Sequence, residues 1–291
     1  MTHVERRIST VITTPPPAPG FIGEEHTAVE VVNSDQLGAT DPFVLLLDDR
    51  LDMPRARAIG GAHPHAGLET VTLILEGTIQ DRDEGPLSAG DAIWMTAGRG
   101  IIHNEHVIAD GKIRILQLWI RLPARDRTLA PSFEIIPLAS VPVRREPGVV
   151  ARLYSGTTGD SVSHTRNRVP ITLVDFALEP GATVTQELPR SYNGFAYVID
   201  GDAMIGGAQV SAGQVGWTDR PDGQGGSTLT FTAGRSGARV VLYTGEPQRE
   251  ALVHHGPFVA GSQLEIHELF RRFRAGGFKP MSMVAREQGA R

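Results

Sequence analysis

Residues able to hold a metal ion occur in this chain as two closely spaced pairs. His63 and His65 lie in His63-Pro64-His65-Ala66-Gly67-Leu68-Glu69. His103 and Glu105 lie in Gly98-Arg99-Gly100-Ile101-Ile102-His103-Asn104-Glu105-His106. In extended backbone, side chains two residues apart leave the same face. Each pair therefore presents two donors together, and two such strands across a barrel converge four ligands on one ion. Neutral imidazoles with one carboxylate suit Fe(II), Mn(II), Ni(II), Cu(II) or Zn(II), and argue against an all-oxygen Mg or Ca site. The chain has no Cys, which excludes thiolate ligands, Cys nucleophiles and disulfides.

The fourth ligand is a question of strand parity. Glu105 shares a face with His103, whereas His106 shares one with Asn104. A His103/His106 pair needs helical spacing, and the surrounding sequence is not helical. Parity therefore favours Glu105. Glu69, six residues after His63 and four after His65, has the same parity. It stands as a second candidate carboxylate or as a buried cross-strand partner.

The elements that position these residues are short. Apolar runs such as Phe43 to Leu47, Val71 to Leu75, Ile113 to Ile120, Ile171 to Leu178 and Val240 to Tyr243 are bounded by Gly77, Gly90-Asp91, Gly111 and Pro180-Gly181. Most are rich in β-branched or aromatic residues, the signature of an all-β sandwich or barrel. A weak repeat is present. Ile74-Leu75-Glu76-Gly77 with Leu87-Ser88-Ala89-Gly90-Asp91 resembles Val198-Ile199-Asp200-Gly201-Asp202 with Val210-Ser211-Ala212-Gly213-Gln214. The spacing between the two glycines is 13 residues in the first copy and 12 in the second. Two tandem barrels fit this self-similarity and the length of 291 residues. The boundary is expected among Pro131 to Pro147, giving residues 1–135 as the metal-binding barrel and 136–291 as a metal-free one. In the second copy Glu187-Leu188-Pro189 stands where a His-x-His pair is expected. One helix is predicted near the C-terminus: Ser262 and Glu265 have capping-box spacing, and Ile266, Leu269, Phe270 and Phe273 form one apolar stripe, ended by Gly276-Gly277. His254-His255-Gly256-Pro257-Phe258 reads as a packed return segment of the second unit.

Composition narrows the partners. The net charge is −5 and the pI about 6.1, so no broad basic field exists to hold nucleic acid. Met1 to Thr14 carries no apolar signal-peptide core, and no apolar run approaches the roughly 20 residues of a membrane helix. The expected location is the cytoplasm. Lys occurs only at Lys112 and Lys279, an Arg-for-Lys skew that points to GC-rich, bacterial coding.

The stretch from His63 to Glu105 resembles the signature of the pirin family. The matching pieces are His63-Pro64-His65, Gly67 to Thr72, Leu75-Glu76-Gly77, Gly90-Asp91 and Trp94-Met95-Thr96-Ala97-Gly98-Arg99-Gly100-Ile101-Ile102-His103. Asp41-Pro42-Phe43 to Asp48-Asp49 upstream, and Gly245-Glu246-Pro247 and His255-Gly256-Pro257-Phe258-Val259 downstream, are similar too. The resemblance implies a bicupin, two tandem cupin-type β-barrels, whose N-terminal barrel binds one iron ion through His63, His65, His103 and Glu105. Two positions depart from the family pattern. His106 stands where Met is common, and Ala66 where a large basic residue is common.

The resemblance also implies a function. Many pirins are similar to dioxygenases that open flavonols such as quercetin with dioxygen and release carbon monoxide. In that reading Glu105 takes the proton of the substrate hydroxyl, and Phe43, Leu45, Leu47 and Met95 are candidate apolar wall residues. The alternative is an iron-dependent regulator that binds a protein partner.

Overall fold

The computed structural model describes residues 4–20, 23–33, 35, 37–81, 85–104, 107–221 and 223–289. The chain is mostly β, in two cupin-type units. One unit comprises Pro16–Ala139, Arg166–Val169 and Gln248–Arg291, and the other Met1–Pro15, Ser140–Thr165 and Pro170–Pro247. This corrects the expected contiguous division at residues 135 and 136. The chain crosses near the expected place, but its two ends exchange units. Hydrogen bonding explains the exchange. At the N-terminal end, the buried guanidinium of Arg6 donates to Ser227, Thr218 and the carbonyls of Pro189, Arg190 and Asp219. At the C-terminal end, strand Lys279–Pro280 pairs in parallel with Ile101–Asn104.

The unit carrying the histidine pairs is built on a nine-stranded sheet. Its order is Ser132–Ile136, Ala92–Thr96, Leu68–Glu76, Val107–Arg121, Phe43–Ile59, His26–Val32, Ala18–Pro19. Register lines residues into rows across the sheet. Leu45, Trp119, Thr70, Met95 and Phe133 form one row; Leu47, Gln117, Thr72, Ile93 and Ile135 form the next. Directly opposed residues share a face, so these two rows make one surface. A second, three-stranded sheet orders Lys279–Pro280, Ile101–Asn104 and Ala62–His65.

The predicted C-terminal helix is present as Gln263–Arg274, but in this first unit. Ser262 caps it, its hydroxyl accepting from Glu265 N at 3.2 Å. Ile266 is buried, and Leu269, Phe270 and Phe273 pack with it against Ala66, Phe258 and Phe278. A second helix, Met281–Gly289, follows and buries Met281 and Val284.

The other unit is a ten-stranded sheet centred on Gly226–Gly245, with Ile171–Leu178 and Asn193–Ile205 on either side. Its core is one aliphatic and aromatic cluster that includes Val174, Phe176, Val184, Leu188, Val198, Phe231 and Leu242.

Candidate metal centre

The two histidine strands are hydrogen-bonded neighbours. Ala62–His65 runs antiparallel to Ile101–Asn104, with His63 opposite His103 and Ile101 opposite His65. Strand parity then places the three imidazoles on one face. Their ring centroids are separated by 4.8 Å (His63–His65), 5.4 Å (His63–His103) and 6.1 Å (His65–His103). One ring nitrogen from each lies within 4.8 Å of the others. Three imidazoles converge in this way among the described residues, and the spacing accommodates one ion. Glu105 and His106 lie outside the described residues.

The surroundings of His65 suit a cation. His65 is buried, and burial, then the neighbouring His63 and His103, hold it well below the usual imidazole range. Its Nδ1 is enclosed and makes no hydrogen bond. His63 donates from Nδ1 to Gly61 O at 3.0 Å, which fixes the orientation of its ring. A backbone carbonyl orienting a ligand imidazole in this way is the usual support at metal sites.

The strand that carries His63 and His65 ends in a turn only glycine can make. Gly67 has φ of +77°, and a Cβ there would collide with the carbonyl oxygen of Val259. That close approach lets the return segment pair with the turn: Val259 N donates to Ala66 O at 3.0 Å. The His254-His255-Gly256 turn thus packs as expected, though onto the first unit. The His254 ring meets Trp119 edge-on at 6.0 Å.

Trp119 is the neighbour that sequence reasoning missed. It meets His65 at 5.1 Å and 84°, so the row Leu45–Trp119–Thr70–Met95 is the sheet face turned to the histidines. Beside it, the Thr72 hydroxyl donates to Gln117 Oε1 at 2.7 Å. Trp119 and Gln117 are visible in the sequence as alternate positions of Ile113 to Ile120, but the apolar residues of that stretch fall on both faces, which conceals its parity. Of the expected wall residues, Leu45, Leu47 and Met95 lie on this face. Phe43 does not: it opposes Ile120 across a register shift and is fully buried.

Glu69, the other candidate carboxylate, is committed elsewhere. It is fully buried and accepts from the Thr96 hydroxyl at 2.8 Å and from the backbone amides of Arg168 and Val169. Burial pushes its carboxyl up, against the opposing pull of those donors. Glu69 is thus a buried anchor for residues 166–169.

Two cupin-type barrels, with a histidine cluster in one of them, define a bicupin. The family model "Pirin" matches residues 25–120, and the "Pirin C-terminal cupin domain" matches residues 173–279. The chain belongs to the pirin family. It is 35% identical over 238 residues to Pirin-1 of Arabidopsis thaliana, covering 79% of this chain and 80% of that protein. It is 32% identical over 250 residues to human Pirin, covering 84% of each. Among solved structures, it resembles a quercetin 2,3-dioxygenase from Acinetobacter baumannii. That likeness has a TM-score of 0.82 at 25% identity and covers 94% of this chain and 99% of that one. No helix among the described residues is long and apolar enough to cross a membrane.

Proposed function

We propose that His63, His65, His103 and Glu105 hold one divalent metal ion, iron(II) by the family resemblance, and that the protein is a dioxygenase of flavonols such as quercetin. The observation that carries this reading is the convergence of three imidazoles, one of them packed against Trp119. The likeness to the quercetin 2,3-dioxygenase supports it. Four protein ligands leave open positions on a five- or six-coordinate ion. Bound there, the ion supplies a Lewis acid for the substrate oxygen and a redox partner for dioxygen.

The remaining work falls to the chain. Glu105 accepts the proton of the flavonol hydroxyl, a role suited to a carboxylate beside a cation. Trp119, Leu45 and Leu47 offer an apolar face to the aromatic rings. The Thr72 hydroxyl, by occupying Gln117 Oε1, turns the Gln117 amide N–H groups outward as donors to a substrate oxygen.

The test is aerobic consumption of quercetin by protein loaded with Fe, Mn, Ni, Cu or Zn in turn, with carbon monoxide measured as product. Wild type consumes quercetin with at least one metal, and Glu105→Ala is slower by about 100-fold or more, the scale of a lost general base. Inactivity of the wild type with every metal would contradict the proposal.

A further inference from the structure

Arg99, in the segment that leads into the His103 strand, has no part in the centre described above. It sits in a rigid turn. Gly98 has φ of +50°, where a Cβ would strike the carbonyl oxygen of Leu129, and Arg99 N donates to that same oxygen at 2.9 Å. The side chain is exposed and lines a cavity of about 360 Å³ in the first unit. This volume lies within the range of small-molecule sites. None of the three histidines lines it.

The walls are apolar and the rim is charged. Val259, Ala260 and Leu269 form the wall, and Leu264 stands at the mouth, 78% exposed. Three arginines and two glutamates also line it. The carboxylates are already engaged. Glu265 pairs with Arg127 at 3.3 Å. Glu268 pairs with Arg271 at 2.6 Å, and this bond holds its carboxyl down. Arg99 and Arg272 are left, among the described residues, with no carboxylate at ion-pair distance. Arg272 is held over the Phe278 ring at 5.6 Å, and Glu268 is near enough to feel its charge. Two guanidinium groups with no carboxylate at ion-pair distance, beside an aliphatic wall, select a particular ligand chemistry. The anion satisfies the forked donors, and an apolar body covers Leu264 and Leu269.

We propose that this cavity is a binding site, separate from the histidine centre, for a small organic anion: an apolar body ending in one carboxylate. Benzoate and octanoate represent aromatic and aliphatic sources of that chemistry, and benzamide is the neutral isostere of benzoate. The experiment titrates each into the metal-loaded full chain and follows the Leu264 methyl signals by NMR, in wild type, Arg99→Gln and Arg272→Gln. Both substitutions are at solvent-accessible side chains, and circular dichroism checks that each variant is folded. The expected result is a Leu264 shift with one or both carboxylates, weakened about tenfold or more in each variant, and benzamide binding at least tenfold more weakly than benzoate. The acid that binds more tightly identifies the body. A response to benzamide equal to that for benzoate, unchanged carboxylate affinity in the two variants, or no Leu264 response to either acid would overturn the proposal.

Discussion

The two barrels share a frame and differ in what they put on it. In the first, Ala89 N donates to Gly77 O and Gly90 N to Ile74 O; in the second, Ala212 N donates to Gly201 O and Gly213 N to Val198 O. Both carry a buried aspartate gripped by an arginine fork. Arg114 holds Asp48 at 2.8 and 2.8 Å, and Arg239 holds Asp175 at 3.1 and 2.9 Å. Aligned on these arginines, the interior rows correspond residue by residue. Leu47–Gln117–Thr72 in the first is Val174–Leu242–Ala196 in the second. Trp119–Thr70 becomes Thr244–Gly194, and Glu69 becomes Asn193. The frame is thus independent of the chemistry: in one barrel the rows carry a hydrogen-bonded polar pair and a tryptophan that meets a histidine, while in the other they carry aliphatic side chains, a threonine and a glycine.

Breaking the shared frame has the largest expected effect. Asp48→Ala and Asp175→Ala each strand an arginine fork, and each costs roughly 3 kcal/mol in urea unfolding. Equal costs confirm equivalent roles; a fork that proves neutral in one barrel breaks the equivalence. A smaller effect is expected at Glu69. Burial raises its pKa, so its protonated form suits the folded state. The stability it contributes is full at low pH and is lost as pH rises through the raised value. Glu69→Gln removes that part of the pH dependence, seen as a flatter stability profile across the acid range. Parallel profiles for variant and wild type would show that the raised carboxyl does not govern this slope. The smallest effect on stability belongs to the double variant Thr72→Ala, Gln117→Leu, which installs the second barrel's residues in the first. Both hydrogen-bond partners are replaced by apolar groups, so stability changes by less than about 1 kcal/mol. Metal content is unchanged while quercetin consumption falls about tenfold, as expected for one lost orienting hydrogen bond. Undiminished turnover would remove Gln117 from the proposed substrate face.

Much of this comparison was legible in the sequence. The repeated Gly77/Gly90 and Gly201/Gly213 pairs mark turns whose hydrogen bonds recur, because a positive φ in a tight turn leaves a local trace. His63, His65 and His103 were legible because strand parity is a two-residue rule. The exchange of chain ends was not: pairing of Lys279–Pro280 with Ile101–Asn104 spans most of the chain and leaves no local pattern. Arg6, an unremarkable basic residue near the N-terminus, gives no hint in the sequence that it is fully buried. Trp119 was hidden because its face is set by register with Leu45 and Thr70, which a single strand's sequence does not encode.

The central claim is one metal ion per chain, held in the first barrel by the histidine strands. Metal analysis of protein purified without oxygen tests it most directly, with His63→Ala and a second-barrel control, Thr244→Ala, beside the wild type. His63 is half-buried, so its truncation leaves the fold testable by thermal unfolding. The account predicts about one equivalent of metal in wild type and in Thr244→Ala, and a loss of roughly tenfold or more in affinity for His63→Ala, at least the effect of removing a supporting residue. Stoichiometric metal retained in His63→Ala, or a second equivalent in the wild type, would contradict it.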